Sequence, residues 1–249
     1  MTEWSVVRGA HAGAPEEVLS AQEQLLDRYG GAARRYLLAA VRDQHAADEL
    51  FQEFALRFVR GDFRRADPER GRFRSFLKTA LYHLVIDYQR RHRRGPETFG
   101  SGSFQPADLD PDPGLSEESF LNSWREELLS RAWGALEELE RTSGGHLYTV
   151  LRLRAERPEM NSGRIAEELG ARLGAPYTAG NVRQMLHRAR EKFAEFLVHE
   201  IAQSLEEPTA DEIEDELIDL NLLEYCRPAI GRYGRANPSP PTGGPAAPR

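Results

Sequence analysis

The sequence predicts an all-α protein made of two small helical domains joined by a flexible linker. Apolar residues recur at helical spacing through most of the chain, and no segment shows the apolar–polar alternation of a strand. Residues 95–118 interrupt this pattern and are rich in Gly, Pro, Ser and acidic residues. We therefore expect domains at 18–94 and 119–203, an N-terminal segment at 1–17 and a C-terminal extension at 204–249.

The first domain is predicted from two apolar patterns separated by a loop. Residues 18–59 carry a helical pattern long enough for two or three helices, and residues 61–72 combine Gly, Asp-Pro and many charges, as loops do. A further helix is expected over residues 73–94. It ends in a run of Arg and His before the Gly95-Pro96 stop. Core packing is the favoured role for Phe73 and Phe76 on its apolar stripe, whereas Tyr82 could equally stack on an unpaired base.

The second domain is predicted to contain a helix-turn-helix. Apolar positions from Trp124 to Leu153 indicate helices broken at residues 143–145. A short helix at 163–169 follows, then a long turn at 170–177, and then a helix from about Ala179 to Ile201. Thr178 is a suitable N-cap for this last helix. Its polar side carries amide and guanidinium groups, which pair with base edges in the major groove, although a solvated helix face is an alternative interpretation.

The bulk composition limits the class of protein. A chain of 249 residues with 40% hydrophobic residues can fill ordinary cores. Its single cysteine cannot form an internal disulfide, and its start lacks the order of charges and apolar residues of a secretory signal, so we expect a cytoplasmic protein. No segment approaches the roughly 18 to 20 apolar residues that span a bilayer, so direct membrane insertion is not expected.

The charge distribution is uneven. The net charge of −7 counts against nucleic-acid binding, but residues 200–249 hold ten Asp and Glu against four Arg, and the remaining chain is nearly neutral. Basic residues there are clustered, as in the run at 90–94, and four arginines in five residues exceed what a helix dipole needs. Phosphate groups would relieve the repulsion within this run.

Two segments resemble a known family. The string AADELFQEFALRF (46–58), followed by RFRSFLKTALYHLVIDYQRRHRR (72–94), resembles the second conserved region of sigma-70 family transcription initiation factors, especially the extracytoplasmic-function group. GRIAEELG (163–170), followed by NVRQMLHRAREKF (181–193), resembles their fourth region. Both occur in the family's order. The acidic C-terminal extension is additional to the family pattern.

The resemblance implies partners for the first domain. Its acidic helix would dock on the clamp of the largest subunit of core RNA polymerase, although a solvated acidic face is the alternative. The next helix would recognise and help open the minus-10 promoter element. The expected polymerase-binding residues are Asp48, Glu49, Gln52 and Glu53. The expected minus-10 residues are Lys78, Tyr82, Asp87, Arg90, Arg91, Arg93 and Arg94, of which Asp87 could equally be structural.

The resemblance also implies that the second domain binds the minus-35 element and the flap of the second-largest subunit. The expected minus-35 residues are Thr178, Asn181, Arg183, Gln184, His187, Arg188 and Arg190. The linker would thread toward the polymerase cleft, where Asp108, Asp110 and Asp112 could mimic RNA charge or simply aid solubility. The acidic run at 206–219 could shield the basic surfaces, bind a regulator such as an anti-sigma factor, or act as a solubility tail.

The function expected from the sequence is therefore promoter recognition as a polymerase subunit. The alternatives are an operator-binding helix-turn-helix regulator and an adaptor that binds proteins only. The chain lacks His and Cys at metal-ligand spacing, a glycine-rich phosphate loop and a nucleophile elbow, so we expect no catalytic residues, no metal site and no cofactor.

Overall fold

A computed structural model describes residues 15–60, 72–94, 116–205 and 208–236. Every regular element in these ranges is an α-helix, which confirms the all-α class. None of these helices is long and apolar enough to cross a bilayer. In chain order they are α1 (Pro15–Val41), α2 (Gln44–Arg60), α3 (Phe73–Arg94), α4 (Glu117–Ser143), α5 (Leu147–Glu156), α6 (Ser162–Leu173), α7 (Ala179–Gln203), α8 (Ala210–Asp219) and α9 (Leu223–Ala236).

The described residues form two compact units. The first contains those up to Glu127 together with 203–205, and the second contains 128–202 and those from Pro208 onward. The loop expected at 61–72 falls outside the described residues except for Arg72, as do residues 95–115 of the expected linker, including Asp108, Asp110 and Asp112. Most of the expected N-terminal segment also lies outside them.

The first unit extends further along the chain than the expected boundary at residue 118. Residues 117–127 of α4 belong to it because two aromatic side chains there are buried against α1. The ring of Phe120 meets Tyr36 edge-on at 5.3 Å between centroids, and the ring of Trp124 stacks on Tyr29 at 4.9 Å. The Gly- and Pro-rich composition of the preceding segment marked a break in the helical pattern, whereas these contacts decide where the unit ends.

Residues 18–59 form two helices. The break comes at Arg42, whose positive φ of 55° ends α1, and Asp43 then caps α2 by accepting a 2.7 Å hydrogen bond from the amide of Ala46. Helices α1, α2 and α3 pack against one another through apolar stripes. Their fully buried side chains include Tyr36, Leu37, Leu50, Leu77, Leu81 and Val85.

The second unit contains the two helices, α6 and α7, over which a helix-turn-helix is predicted. Asn161 caps α6 by accepting hydrogen bonds from the amides of Gly163 and Arg164, each at 3.0 Å. Buried residues on α6 and α7 form the centre of this unit together with side chains of α4 and α5. They include Leu136, Leu153, Ile165, Leu169, Val182, Ala189 and Leu197.

The described part of the C-terminal extension contains two helices, α8 and α9. Thr209 begins α8 with a reciprocal capping box to Glu212. Ile213, Leu217 and Cys226 are fully buried in the α8–α9 pair. The high acid content of residues 210–219 is therefore compatible with a helix, because acidic and apolar residues recur there at helical spacing.

Candidate functional site

The outward face of α2 combines acidic, amide and apolar side chains. Glu49 and Gln52 are exposed, and Asp48 is half-buried. Leu56 and Val59 continue the same stripe toward the end of the helix, and each is 47% exposed. Neither residue was predicted as a contact from the sequence, although their spacing of four and seven positions from Gln52 places them on the same face of α2. An apolar end to an otherwise polar helix face is suited to contact with another protein.

Glu53 differs from its neighbours because it takes part in an ion-pair network between α2 and α3. It pairs with Arg57 on its own helix, and its Oε2 lies 3.2 Å from Nη2 of Arg91 on α3. Arg57 also lies 4.0 Å from Oδ2 of Asp87. The structure thus brings together one expected polymerase-binding residue and two expected minus-10 residues.

The network sets the protonation of Glu53. Partial burial raises the pKa of its carboxyl group, but hydrogen bonds and charges from Arg57 and Arg91 outweigh this effect and lower the pKa overall. Glu53 is therefore held in its charged form. Its carboxylate links the two helices, so Glu53 has a structural role whether or not it also contacts a partner.

The other expected minus-10 residues lie along α3. Lys78 is half-buried and pairs with Glu117 at the start of α4, and burial followed by the charge of Arg74 lowers the pKa of its ammonium group. Tyr82 is half-buried next to His83, with ring centroids 5.9 Å apart. Arg90 is half-buried and Arg91 is exposed. The side chains of Arg93 and Arg94 lie outside the described residues.

The turn between α6 and α7 is shorter than predicted. Residues 170–173 are helical and extend α6, so the expectation of a turn over 170–177 was wrong. Arg172 forms an ion pair with Glu168 one turn earlier, and the helix ends at Gly174, whose left-handed φ of 67° lets its amide donate to the carbonyl of Gly170. Glycine at 170 suggested a turn, but Gly174 is the residue that ends the helix. The turn therefore lies between Leu173 and Ala179, and α7 begins at Ala179.

The N-terminus of α7 is held by a reciprocal cap. The amide of Asn181 donates to Oγ1 of Thr178 at 3.1 Å, and Oδ1 of Asn181 accepts from the amide and the hydroxyl of Thr178 at 3.1 and 2.7 Å. The acceptor oxygen of Asn181 is thus used in the cap, while Nδ2 is its remaining donor group. Thr178 positions the helix through the same hydrogen bonds.

The expected minus-35 residues are all exposed, and most lie on the first three turns of α7. A groove of about 410 Å³ runs beside them, between α7 and the turn. Asn181, Gln184 and Arg188 line one side of it, and residues 175–177 line the other. The full exposed set is Thr178, Asn181, Arg183, Gln184, His187, Arg188 and Arg190.

The described residues therefore define an all-helical protein with two polar helical faces, one on α2 and α3 and one on α7. Residues 25–95 match the family model described as Sigma-70 region 2, and this match lies within the first unit. Neither a curated protein nor a solved structure matches the chain. Over these residues the chain is similar to region 2 of sigma-70 factors, which are transcription factors that recognise promoters together with RNA polymerase.

Proposed function

We propose that this chain is a transcription initiation factor of the extracytoplasmic-function type, which binds core RNA polymerase and directs it to promoters with minus-10 and minus-35 elements. The observation that carries the proposal is the match of residues 25–95 to Sigma-70 region 2. Helices α6 and α7 of the second unit support it, because they follow the matched region in the order expected for the family's second DNA-binding element.

The α2 face is proposed as the docking surface for the polymerase clamp. Its exposed residues offer charge at one end, through Glu49, and apolar contact area at the other, through Leu56 and Val59. Buried apolar area gives an interface much of its affinity, whereas charged residues around it contribute mainly to association rate and specificity. We therefore assign Leu56 and Val59 to the proposed interface together with Asp48, Glu49 and Gln52.

The α3 helix is proposed to contact the minus-10 element. Arg91 is exposed near its C-terminal end and can reach a phosphate, while Arg90 is half-buried beside it. Tyr82 keeps part of its ring accessible and is the aromatic candidate for stacking on an unpaired base. Capture of unpaired bases by stacking is the chemistry that promoter opening requires.

The α7 helix is proposed to enter the major groove at the minus-35 element. A capped helix that presents Arg, Gln and His side chains in its first turns has the donor groups that read base edges, with Arg pairing to guanine and Gln to adenine. The second unit is also proposed to contact the flap of the second-largest subunit.

Copurification with core polymerase tests the first step of this proposal. The wild-type chain should bind core polymerase, and Leu56→Asp should weaken binding because it places a charge in the proposed apolar contact. Leu38→Asp is the matched control, since Leu38 is 38% exposed on α1 and lies outside the proposed interface. Equal loss of binding in both variants would show that the α2 face is not the docking surface.

Run-off transcription from a genomic library with core polymerase tests the second step. Transcripts that start downstream of a shared pair of sequence elements would support the proposed function. A chain that binds duplex DNA but not core polymerase at low salt would instead be an operator-binding regulator. A chain with neither activity would be an adaptor that binds proteins only.

A further inference from the structure

The C-terminal helix α9 lies against the middle of α7. The ring of Tyr225 meets Phe193 edge-on at 6.0 Å between centroids, and its hydroxyl donates to the carbonyl of Arg190 at 3.4 Å. Further along α9, Nη1 of Arg232 lies 2.8 Å from Oε1 of Glu191, and Nε lies 3.1 Å from Oε1 of Glu195. The contacts begin beyond the first three turns of α7, so they leave the expected minus-35 residues of those turns exposed.

The two glutamates lie on the same face of α7 as the proposed DNA-reading residues. Starting from Gln184, positions 188, 191 and 195 follow at intervals of four, seven and eleven residues, which keeps them on one side of a helix. Nε2 of His187 lies 3.6 Å from Oε2 of Glu191, which confirms that the polar stripe is continuous. The face that is proposed to meet DNA is therefore basic and amide-rich at its start and acidic one to two turns later.

Carboxylates at this position would oppose DNA binding unless they are neutralised. Lys192 pairs with Glu195 at 2.7 Å, which balances one of the two charges. Arg232 contacts both glutamates and supplies the second positive charge from outside the helix-turn-helix. Its hydrogen bond is the main cause that lowers the pKa of Glu191, in keeping with a close ion pair. With Arg232 present the group of four side chains is neutral, and without it one net negative charge remains.

We propose that Arg232 is a positioning residue for DNA binding: it neutralises the acidic part of the α7 face and so promotes binding of α7 to DNA. This inference rests on the proposed role of α7. The effect of Arg232 is opposite to that expected of an acidic shield, because a shield would weaken DNA binding whereas Arg232 strengthens it.

Binding of the full-length chain to a fluorescent random-sequence 40-base-pair duplex at low salt tests the inference. Arg232→Ala should raise the Kd roughly two- to fivefold, the range expected for one partly screened charge, and the difference should shrink at high salt. Arg232→Lys should bind nearly as well as the wild type because it keeps the charge. Thermal unfolding of each variant checks that the second unit stays folded.

A charge-compensation variant distinguishes neutralisation of the α7 glutamates from a purely structural contact between α9 and α7. Adding Glu191→Gln to Arg232→Ala restores local neutrality and should return the Kd to about the wild-type value. Glu191→Gln alone leaves one extra positive charge and should bind more tightly than the wild type. A purely structural role for Arg232 predicts no rescue by Glu191→Gln, because the contact between α9 and α7 would still be missing.

Several results would overturn the inference. They are unchanged or tighter binding by Arg232→Ala, absence of rescue in the double variant, and failure of the wild-type chain to bind the duplex at all. The copurification experiment remains independent of these results. A chain that binds the duplex with the expected charge dependence but does not bind core polymerase would refute the proposed function and leave this inference standing.

Discussion

Nη2 of Arg91 on α3 lies 3.2 Å from Oε2 of Glu53 on α2. The pair joins the proposed polymerase-binding helix to the proposed minus-10 helix. A partner that displaced either side chain would therefore act on both helices. A substitution at Glu53 should therefore affect the contact between α2 and α3 as well as any partner binding.

Glu53→Gln should destabilise the first unit at pH 7 by less than about 1 kcal/mol, because the pair is partly exposed and screened by solvent. The pKa of Glu53 is lowered below its ordinary value of 4.5 in the folded chain. The stabilisation of the first unit by the Glu53 carboxylate is therefore fully present above pH 4.5. It is lost as the pH falls through the lower pKa that Glu53 has in the folded chain. Urea unfolding of wild type and variant should show a difference at pH 7 that disappears in acid. Glu49→Gln, an exposed change on the same helix, should have little effect at either pH.

Trp124→Ala should destabilise the first unit by about 3 to 5 kcal/mol, since it removes a fully buried ring that stacks on Tyr29. Urea unfolding and hydrogen exchange of the α1 amides measure the effect. Leu38→Ala is the control for loss of a partly exposed apolar side chain and should cost less than about 1 kcal/mol. Unchanged exchange in α1 would show that the start of α4 does not stabilise this unit.

Gly174→Ala should destabilise the second unit by about 1 kcal/mol, because alanine at a φ of 67° is strained even where space is open. Gly134→Ala is the matched control, and its expected effect on stability has the opposite sign. Gly134 lies within α4, is exposed and has open space at its Cβ position, so alanine should stabilise the helix by about 0.5 to 1 kcal/mol. The Tm values of the two variants should thus shift in opposite directions from that of the wild type. Shifts of the same sign would contradict the end of α6 at Gly174.

Arg183→Ala or Gln184→Ala should each reduce the free energy of DNA binding by roughly 1 to 3 kcal/mol when particular minus-35 base pairs are present. The reason is that each substitution would remove a contact to a base edge. Arg91→Ala should instead weaken binding to all sequences and reduce its salt dependence. Binding to a set of promoter variants measures both effects, and Arg141→Ala on an exposed part of α4 is the control. A uniform loss across all variants for Arg183→Ala and Gln184→Ala would refute base-specific contact by α7.

Cys226 should react slowly with a disulfide reagent in the native chain. Burial in the α8–α9 pair raises the pKa of its thiol to about 12, so both access and the thiolate fraction are low near pH 8. Addition of urea should increase the labelling rate greatly. Rapid labelling of the native chain would show that the C-terminal pair opens readily.

The sequence by itself determined the helices and the polar faces of this protein. Apolar spacing marked the buried stripes of α2, α3 and α7, the Arg-rich run marked the end of α3, and Thr178 marked the start of α7. These features are local, since helical periodicity relates residues three and four positions apart. The resemblance of residues 46–58 and 72–94 to sigma region 2 also came from the sequence, and the match over 25–95 agrees with it.

The tertiary structure alone decided which surfaces those faces meet. Glu53 and Arg91 are 38 positions apart and Arg232 lies 41 positions from Glu191, so no local pattern relates them. Periodicity likewise placed Trp124 on a buried stripe but could not say that α1 buries it. The pairing of apolar helix faces depends on packing between helices that are distant in the sequence. That packing places the start of α4 in the first unit and α9 against α7.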